Sequence, residues 1–262
     1  MTPRAAARAR ATAEPAAFAG FPPAALDFLR GLAAHNEKPW FEAHRDEYEA
    51  AVRAPTLALV DEVDARLGAL APEFVGDRRR SVFRIFRDVR FSKDKRPYKT
   101  NAGCWFFHRD VRDGAPKDTG GGTGVAAAVH GGAGFYFHLE PGASFCAGGI
   151  WMPPRPALAL IRDRIAERPG ELPAMVAAPE FARRFGALSR EAMLVRTPRG
   201  YAADEATAEW LRYQSFTASQ PLADDAATAP DLADRLVGAY AALLPLVRWL
   251  NLALGLRPAD RR

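Results

Sequence analysis

Cysteine and histidine are scarce in this sequence. The 262 residues include two cysteines, Cys104 and Cys146, and five histidines. Two cysteines are too few for a disulfide framework, and the histidines lack the H-x-x-x-H and H-E-x-x-H spacings of zinc sites. We therefore expect a protein of the reducing cytoplasm that holds neither a metal ion nor a cofactor.

Long apolar runs are also missing. The longest such stretch lies near the C-terminus and is interrupted by Pro245 and Arg248, whereas a membrane span needs about 18 or more apolar residues. No charged and then apolar leader precedes a cleavage site of small residues. The sequence thus predicts a soluble protein without a membrane partner.

Lysine is rare but concentrated. Only five of the 36 basic residues are lysines, and Lys93, Lys95 and Lys99 fall within seven residues. From Arg78 to Lys99, ten Lys or Arg accompany two Asp, a local net charge of +8, while the whole chain carries +5. The chain's general preference for arginine does not explain this cluster, because lysine is a compact point charge and arginine a planar fork. Any account of function begins with this basic segment.

The length and a hydrophobic content of 48% predict one globular domain over residues 18–255. Residues 1–17 are rich in Arg and Ala without apolar periodicity, which predicts a disordered tail rather than the organellar transit peptide that they loosely resemble. A glycine-rich loop is predicted at residues 109–133.

Helical periodicity dominates both ends of the chain. A first helix follows Pro22 and Pro23, and Asn36 is predicted to cap a second helix that runs through His44 and Tyr48. A third helix begins at Pro55 and ends before Pro72. Beyond the middle of the chain, helices are predicted through Ile161, around Met175, Phe181 and Trp210, and from Asp231 to Leu254.

The middle of the chain has the period of two that is typical of strands. Phe83, Ile85, Val89 and Phe91 share one face of an extended segment with Arg87 among them, which predicts a strand. The other face has Arg84, Phe86, Asp88 and Arg90. Further strands are predicted at GCWFFH, at GFYFHLE and SFCAGGIW around a Pro141-Gly142 hairpin, and at AMLVR. The order of elements predicts an α+β fold in which a mostly antiparallel hairpin or meander sheet is flanked by N-terminal and C-terminal helices.

Several motifs together resemble the domain of unknown function 2461 family of bacterial and fungal proteins. They are RDVRFSKDKRPYKTN, HNEKPWFEAHRDEY, FYFHLEPGASFCAGGIWMPP, LALIRDRIA and TPRGY. The resemblance extends from about Phe18 to the last helix, and it implies no reaction, ligand or catalytic residue. The insert GAPKDTGGGTGVAAAVHGG departs from the compact spacing between strands in that family.

The basic motif at residues 87–101 has three interpretations. In the preferred one, its cations line a cleft for phosphate, carboxylate or a nucleotide, and the ligand-binding residues are Arg87, Arg90, Lys93, Lys95, Tyr98 and Lys99. A nucleic acid, gripped by the cations with stacking on the interleaved aromatics, is the less favoured partner. Alternatively, Asp88 and Asp94 form ion pairs that serve the fold alone.

Catalytic and phosphate-loop templates fit poorly. Ser92 and the lysine three residues later have the S-x-x-K spacing, but Pro97 and the strand pattern oppose the helix that this motif needs. AGGIW and GGGTG lack the strand-turn-helix context of a phosphate loop. Gly148 and Gly149 are instead predicted to mark a bulge or a close backbone approach that leaves room for a ligand. His44 is predicted to pack on a helix face.

Two geometric expectations follow from charge balance. Arg87, which shares a face with apolar residues, should be paired internally with a carboxylate, because an unpaired buried guanidinium is costly. The segment from Lys38 to Tyr48 should meet residues 87–99, with Glu42, His44 and Glu47 as partners for the cations.

Overall fold

The computed structural model describes residues 17–90, 92–111, 132–201 and 204–259. Residues 1–16 of the predicted disordered tail and most of the predicted glycine-rich loop lie outside the described residues. The fold is α+β, as predicted, and the helices come before the first strand, between the fourth and fifth strands, and after the last strand of a five-stranded sheet. Every strand pairs with its neighbour in the chain in the antiparallel sense, in the order β1-β2-β3-β4-β5.

The helices have the following bounds. They are α1 Pro23–Ala34, α2 Lys38–Ala43, α3 Arg45–Glu47, a π-helix Tyr48–Arg53, α4 Ala54–Leu70, α5 Arg155–Glu167, α6 Glu171–Ala177, α7 Pro179–Phe185, α8 Glu205–Leu211, α9 Asp224–Thr228 and α10 Leu232–Ala253. Proline occupies the first turn of α1, α2, α4, α5 and α7, where its missing N–H costs no intrahelical hydrogen bond.

The strands are β1 Phe74–Val75, β2 Ala102–His108, β3 Gly134–Leu139, β4 Phe145–Ile150 and β5 Phe216–Pro221. The sequence predicted β2, β3, β4 and the hairpin between the last two, but β1 and β5 were missed. AMLVR is not a strand, since only Met193 forms a bridge there, to Tyr213. β1 has only two residues, and β5 reads FTASQP, so neither shows the apolar alternation on which a prediction depends.

Both faces of the sheet are covered. On one face, residues such as Phe106, Phe135 and Phe137 pack with the helices in the main core, and Tyr240 of α10 stacks on Phe135 at 4.7 Å between ring centroids. On the other face Trp105, Phe107, Tyr136 and Ala147 form a smaller group, called here the outer cluster. Burial on both faces explains why β2 and β3 read as nearly continuous apolar runs.

Two glycines of β4 bring backbones and side chains into close contact. A Cβ atom on Gly149, whose φ is +125°, would lie 1.9 Å from the carbonyl oxygen of Phe216 on β5. One on Gly148 would lie 3.0 Å from Leu243 Cδ1 of α10. The predicted close approach is confirmed, but the space beside these glycines is filled by protein rather than left for a ligand.

The helix α10 is the one described helix that is long and apolar enough to cross a membrane. Of its most apolar window, 56% is buried inside the protein, where Leu243 contacts the sheet. Core helices of soluble proteins can be equally long and apolar, so this helix is weak evidence for a membrane span.

Candidate functional site

The basic motif folds back on itself between residues 85 and 99, and this segment is called here the basic hairpin. The Arg87 N–H donates to the Pro97 carbonyl and the Lys99 N–H to the Ile85 carbonyl, both at 2.8 Å. The predicted strand over 83–91 was wrong, because the described residues of this segment have one isolated bridge, between Phe86 and Tyr98. Phe91 lies outside the described residues.

Aspartate side chains explain why the segment does not continue as a strand. Asp88 Oδ1 accepts from the backbone N–H of Arg90 at 3.2 Å, and Asp94 Oδ1 accepts from that of Arg96 at 3.0 Å. Such local side-chain bonds turn the chain and compete with a sheet ladder for the backbone N–H groups. The alternating pattern thus identified an extended segment but not its turns.

Asp94 is the electrostatic centre of the hairpin. Its Oδ2 accepts from Arg96 Nη2 at 2.7 Å and from Arg87 Nη1 at 2.8 Å. The hydrogen bonds from Arg96, and then the one from Arg87, hold the pKa of the Asp94 carboxyl well below its usual range. The Arg87 side chain is only 17% exposed, so the predicted internal pairing of this arginine is confirmed.

Asp88 and Arg90 form a second pair nearer the solvent. Arg90 Nε and Nη2 donate to the Asp88 carboxylate at 2.9 and 2.6 Å, and these hydrogen bonds lower the pKa of Asp88 to about 2. The Arg90 side chain is 76% exposed. Exposed ion pairs contribute little to stability, so this pair shapes the loop more than it holds the fold together.

The three lysines have surroundings unlike those of the arginines. Lys95 Nζ donates to the Val89 carbonyl at 3.0 Å, and Lys99 Nζ lies 5.3 Å from the centre of the Phe83 ring. Lys93 is exposed, and no described residue pairs with it. Among the described residues, Lys93 and Lys95 form no bond to Asp88 or Asp94.

The N-terminal helices hold the hairpin, as predicted, through contacts that were not predicted. The Tyr98 ring stacks on Phe41 of α2 at 4.3 Å between centroids, and the Asn36 side chain bonds both backbone groups of Tyr98 at 3.0 Å. Asn36 is therefore not a helix cap, and Glu37 precedes α2 instead. Glu42 was expected to pair with the cations of the hairpin, but it accepts from Arg45 Nη2 at 2.7 Å instead.

Tyr98 and His44 are both packing residues in this arrangement. Tyr98 is 3% exposed, and its burial, followed by the charge of Glu42, raises the pKa of its hydroxyl. The His44 ring stacks on Trp40 at 4.0 Å, and its Nδ1 lies 2.8 Å from the Trp40 carbonyl oxygen. The predicted packing of His44 is confirmed.

A chain of polar groups beside the hairpin, in which Tyr136 and His138 are buried, was missed by the sequence reasoning. Tyr136 Oη lies 3.0 Å from His138 Nδ1, and His138 Nε2 lies 3.0 Å from Glu140 Oε2. Thr100 donates to the other oxygen, Glu140 Oε1, at 3.2 Å. The signal was present in GFYFHLE, where Tyr136 and His138 lie on one face of β3 and Glu140, just beyond the strand, follows with the same spacing of two.

The polar chain and the basic hairpin are neighbours. Thr100 follows the hairpin directly and bonds Glu140, while the edge of the Phe83 ring meets Tyr136 at 5.7 Å between centroids. The ammonium group of Lys99 lies over the same Phe83 ring. The cations and this chain of polar groups thus share one end of the sheet.

The two cysteines and the possible metal ligands offer no further candidate site among the described residues. Burial raises the pKa of both thiols, Cys104 and Cys146, to about 12, which leaves them protonated and unreactive at neutral pH. Among the described residues, no group of three or more His, Cys, Asp or Glu side chains could hold a metal ion.

A family model described as "Conserved hypothetical protein (DUF2461)" matches residues 24–249. This range includes the basic hairpin, the polar chain and all five strands. No curated protein and no solved structure matches the chain.

Proposed function

The chain belongs to the DUF2461 family of conserved hypothetical proteins, and from that premise we propose that its basic hairpin binds a small anion. The ligand class is phosphate, carboxylate or a nucleotide. Charge balance carries the proposal: seven cations lie between Arg84 and Lys99, where the two carboxylates are Asp88 and Asp94. Both carboxylates already accept from arginines.

The predicted site residues have two roles in this proposal. Arg87 and Arg90 shape the hairpin through the two aspartates, and Tyr98 anchors it to α2. Lys93, Lys95 and Lys99 supply the positive charge for the ligand. An ammonium group is a compact donor that suits a phosphate or carboxylate oxygen.

The experiment compares lysine variants by calorimetry with inorganic phosphate, ATP and succinate. A charge-assisted hydrogen bond contributes about 1.5–3 kcal/mol, so Lys95→Ala should weaken the binding of one of these ligands by roughly 10- to 150-fold. Lys38→Ala is the matched control, because it removes an exposed lysine outside the hairpin. If the parent protein, Lys95→Ala and Lys38→Ala bound each ligand with equal affinity, and Lys95→Ala had a lower melting temperature, anion binding by the hairpin would be refuted.

One observation favours nucleic acid as a second candidate. The Phe86 side chain is a large aromatic on the surface, 47% exposed, and Arg84 and Arg87 flank it in sequence. Exposed aromatics among cations are typical of single-strand binding, where bases stack and phosphates are neutralised. Affinity for an oligonucleotide should then fall steeply with salt, and Phe86→Ala should weaken it, whereas binding of phosphate alone should be insensitive to that substitution.

A further inference from the structure

The polar chain along β3 is arranged as an acid–base triad. Tyr136 and His138 alternate on one face of β3, and Glu140, directly after the end of the strand, continues the same alternation. His138 lies between the other two, with a 3.0 Å contact at each ring nitrogen, and it is 1% exposed. A nucleophile, a base and a carboxylate that orients the base follow one another in the same order in hydrolase triads.

The position of each hydrogen follows from the carboxylate. Hydrogen bonds from His138 and Thr100 stabilise the ionised form of Glu140, whose pKa is below its usual value, chiefly because of His138. An ionised carboxylate only accepts, so His138 Nε2 carries a hydrogen towards it. When the ring is neutral, Nδ1 is the acceptor for the hydroxyl hydrogen of Tyr136.

The neighbouring residues keep this geometry fixed. The Phe145 ring stacks on His138 at 4.7 Å between centroids. A Cβ atom on Gly103 would lie 2.6 Å from Tyr136 Oη, so glycine at this position makes room for the hydroxyl on the adjacent strand. Groups that are held in place before the reaction lose little entropy when they react.

We propose that Tyr136 is a nucleophile that His138 activates as general base, while Glu140 acts as the positioning residue. The ligand class is an ester or acyl phosphate with an anionic group, a choice that rests on the anion site proposed for the adjacent hairpin. The Tyr136 oxygen forms a bond to the acyl carbon, and the bond from that carbon to the leaving group breaks, so that the alkoxide or phosphate departs with the electron pair and takes up the proton that His138 has received. The hydroxyl proton passes to His138 Nδ1, and the resulting imidazolium faces Glu140.

The test measures how fast N-acetylimidazole acetylates individual tyrosines, read by mass spectrometry of peptides. Tyr201 is the internal reference, because its hydroxyl donates to Asp163 at 2.7 Å and its pKa is raised to about 12. The proposal predicts that Tyr136, although only 4% exposed, reacts faster than Tyr201. A general base contributes at least about 100-fold, so His138→Gln should slow Tyr136 by about that factor and leave Tyr201 unchanged.

Two further variants distinguish a loss of reactivity from a loss of folding. Glu140→Gln changes a partly exposed side chain and replaces the carboxylate by a neutral amide of similar size, and it should also slow the acetylation of Tyr136. His44→Gln is the matched control, because His44 stacks on Trp40 outside the sheet, and it should leave the rate unchanged. Tyr136 reacting no faster than Tyr201, or equally fast in His138→Gln, would overturn the proposal. The assay needs no bound anion, so its failure is separate from a failure of the lysine variants to lose ligand affinity.

Discussion

At the scale of single residues, Asp94 and Asp88 hold similar arginine pairs in different surroundings. Asp94 bonds Arg87, whose side chain is largely buried, as well as Arg96, whereas Asp88 bonds the exposed Arg90. Loss of a partner is more costly for a cation that is shielded from water. The two aspartates therefore form a natural comparison.

We expect Asp94→Asn to lower the melting temperature more than Asp88→Asn. The first substitution leaves Arg87 without its carboxylate, while the second releases an arginine that water already solvates. Thermal unfolding followed by circular dichroism measures both. Equal melting temperatures in the two variants would show that the burial of Arg87 has no energetic weight.

The same carboxylates predict how stability depends on pH. The pKa values of Asp94 and Asp88 are lower in the folded protein than their ordinary value of 3.8. Their contribution is therefore complete above about pH 4 and is lost as the pH falls through the lower folded values. Urea unfolding between pH 5 and pH 2 should show stability falling with acid, and the fall should be smaller in Asp94→Asn.

Asn36 joins the hairpin to the N-terminal helices through two hydrogen bonds to the backbone of Tyr98. Asn36→Ala should reduce the free energy of unfolding by about 1–3 kcal/mol, because it leaves two backbone groups of a buried residue without these partners. Asn36→Asp keeps the acceptor for the Tyr98 N–H and loses the donor to its carbonyl, so its loss should be intermediate. Urea denaturation would contradict this reasoning if alanine and aspartate cost the same.

At the scale of elements, the contact between β4 and β5 depends on Gly149. Its φ of +125° is unfavourable for other residues, and an added Cβ would lie 1.9 Å from the Phe216 carbonyl oxygen. Gly149→Ala should force the strands apart and lower the yield of folded protein or its melting temperature strongly.

Gly142, in the turn between β3 and β4, is the matched control for that substitution. Its φ is +72°, but nothing lies within 4 Å of an added Cβ. Gly142→Ala should therefore cost only the conformational term of about 1–2 kcal/mol. If both substitutions lowered the stability by a similar amount, the strands would be able to relieve the contact with Phe216 at no cost in free energy.

The elements that sequence could predict are those with one dominant pattern. The spacing of Val60, Val63 and Leu67 identified α4, and the apolar run GCWFFH identified β2. The basic hairpin was misread because its apolar alternation is real, while its turns depend on bonds from Asp88 and Asp94 to their own backbone. Local periodicity carries no information on which side chains fold back.

The candidate site also has features that the sequence predicts and features that it does not. The concentration of charge located the hairpin, and the need to pair Arg87 was deduced correctly from its apolar neighbours. The partnership of Asn36 with Tyr98 spans 62 residues, and that of Thr100 with Glu140 spans 40. Contacts at such separations are set by the packing of whole elements, so no local pattern predicts them.

At the scale of the whole molecule, the central claim is that charge concentrated at one end of the sheet binds an anion. Lysine scarcity makes this claim measurable, since the chain has five lysines and three of them lie in the basic hairpin. Reductive methylation with carbon-13 gives each lysine one resonance and keeps its positive charge. The position of bound ligand is then reported without any substitution.

The most direct measurement is a titration of the methylated protein with inorganic phosphate, followed by NMR. The account predicts that the resonances of Lys93, Lys95 and Lys99 move together and saturate with one dissociation constant, while Lys38, in α2, stays in place. Small shifts that grow linearly with phosphate at every lysine, or no shift at the three hairpin lysines, would contradict the claim.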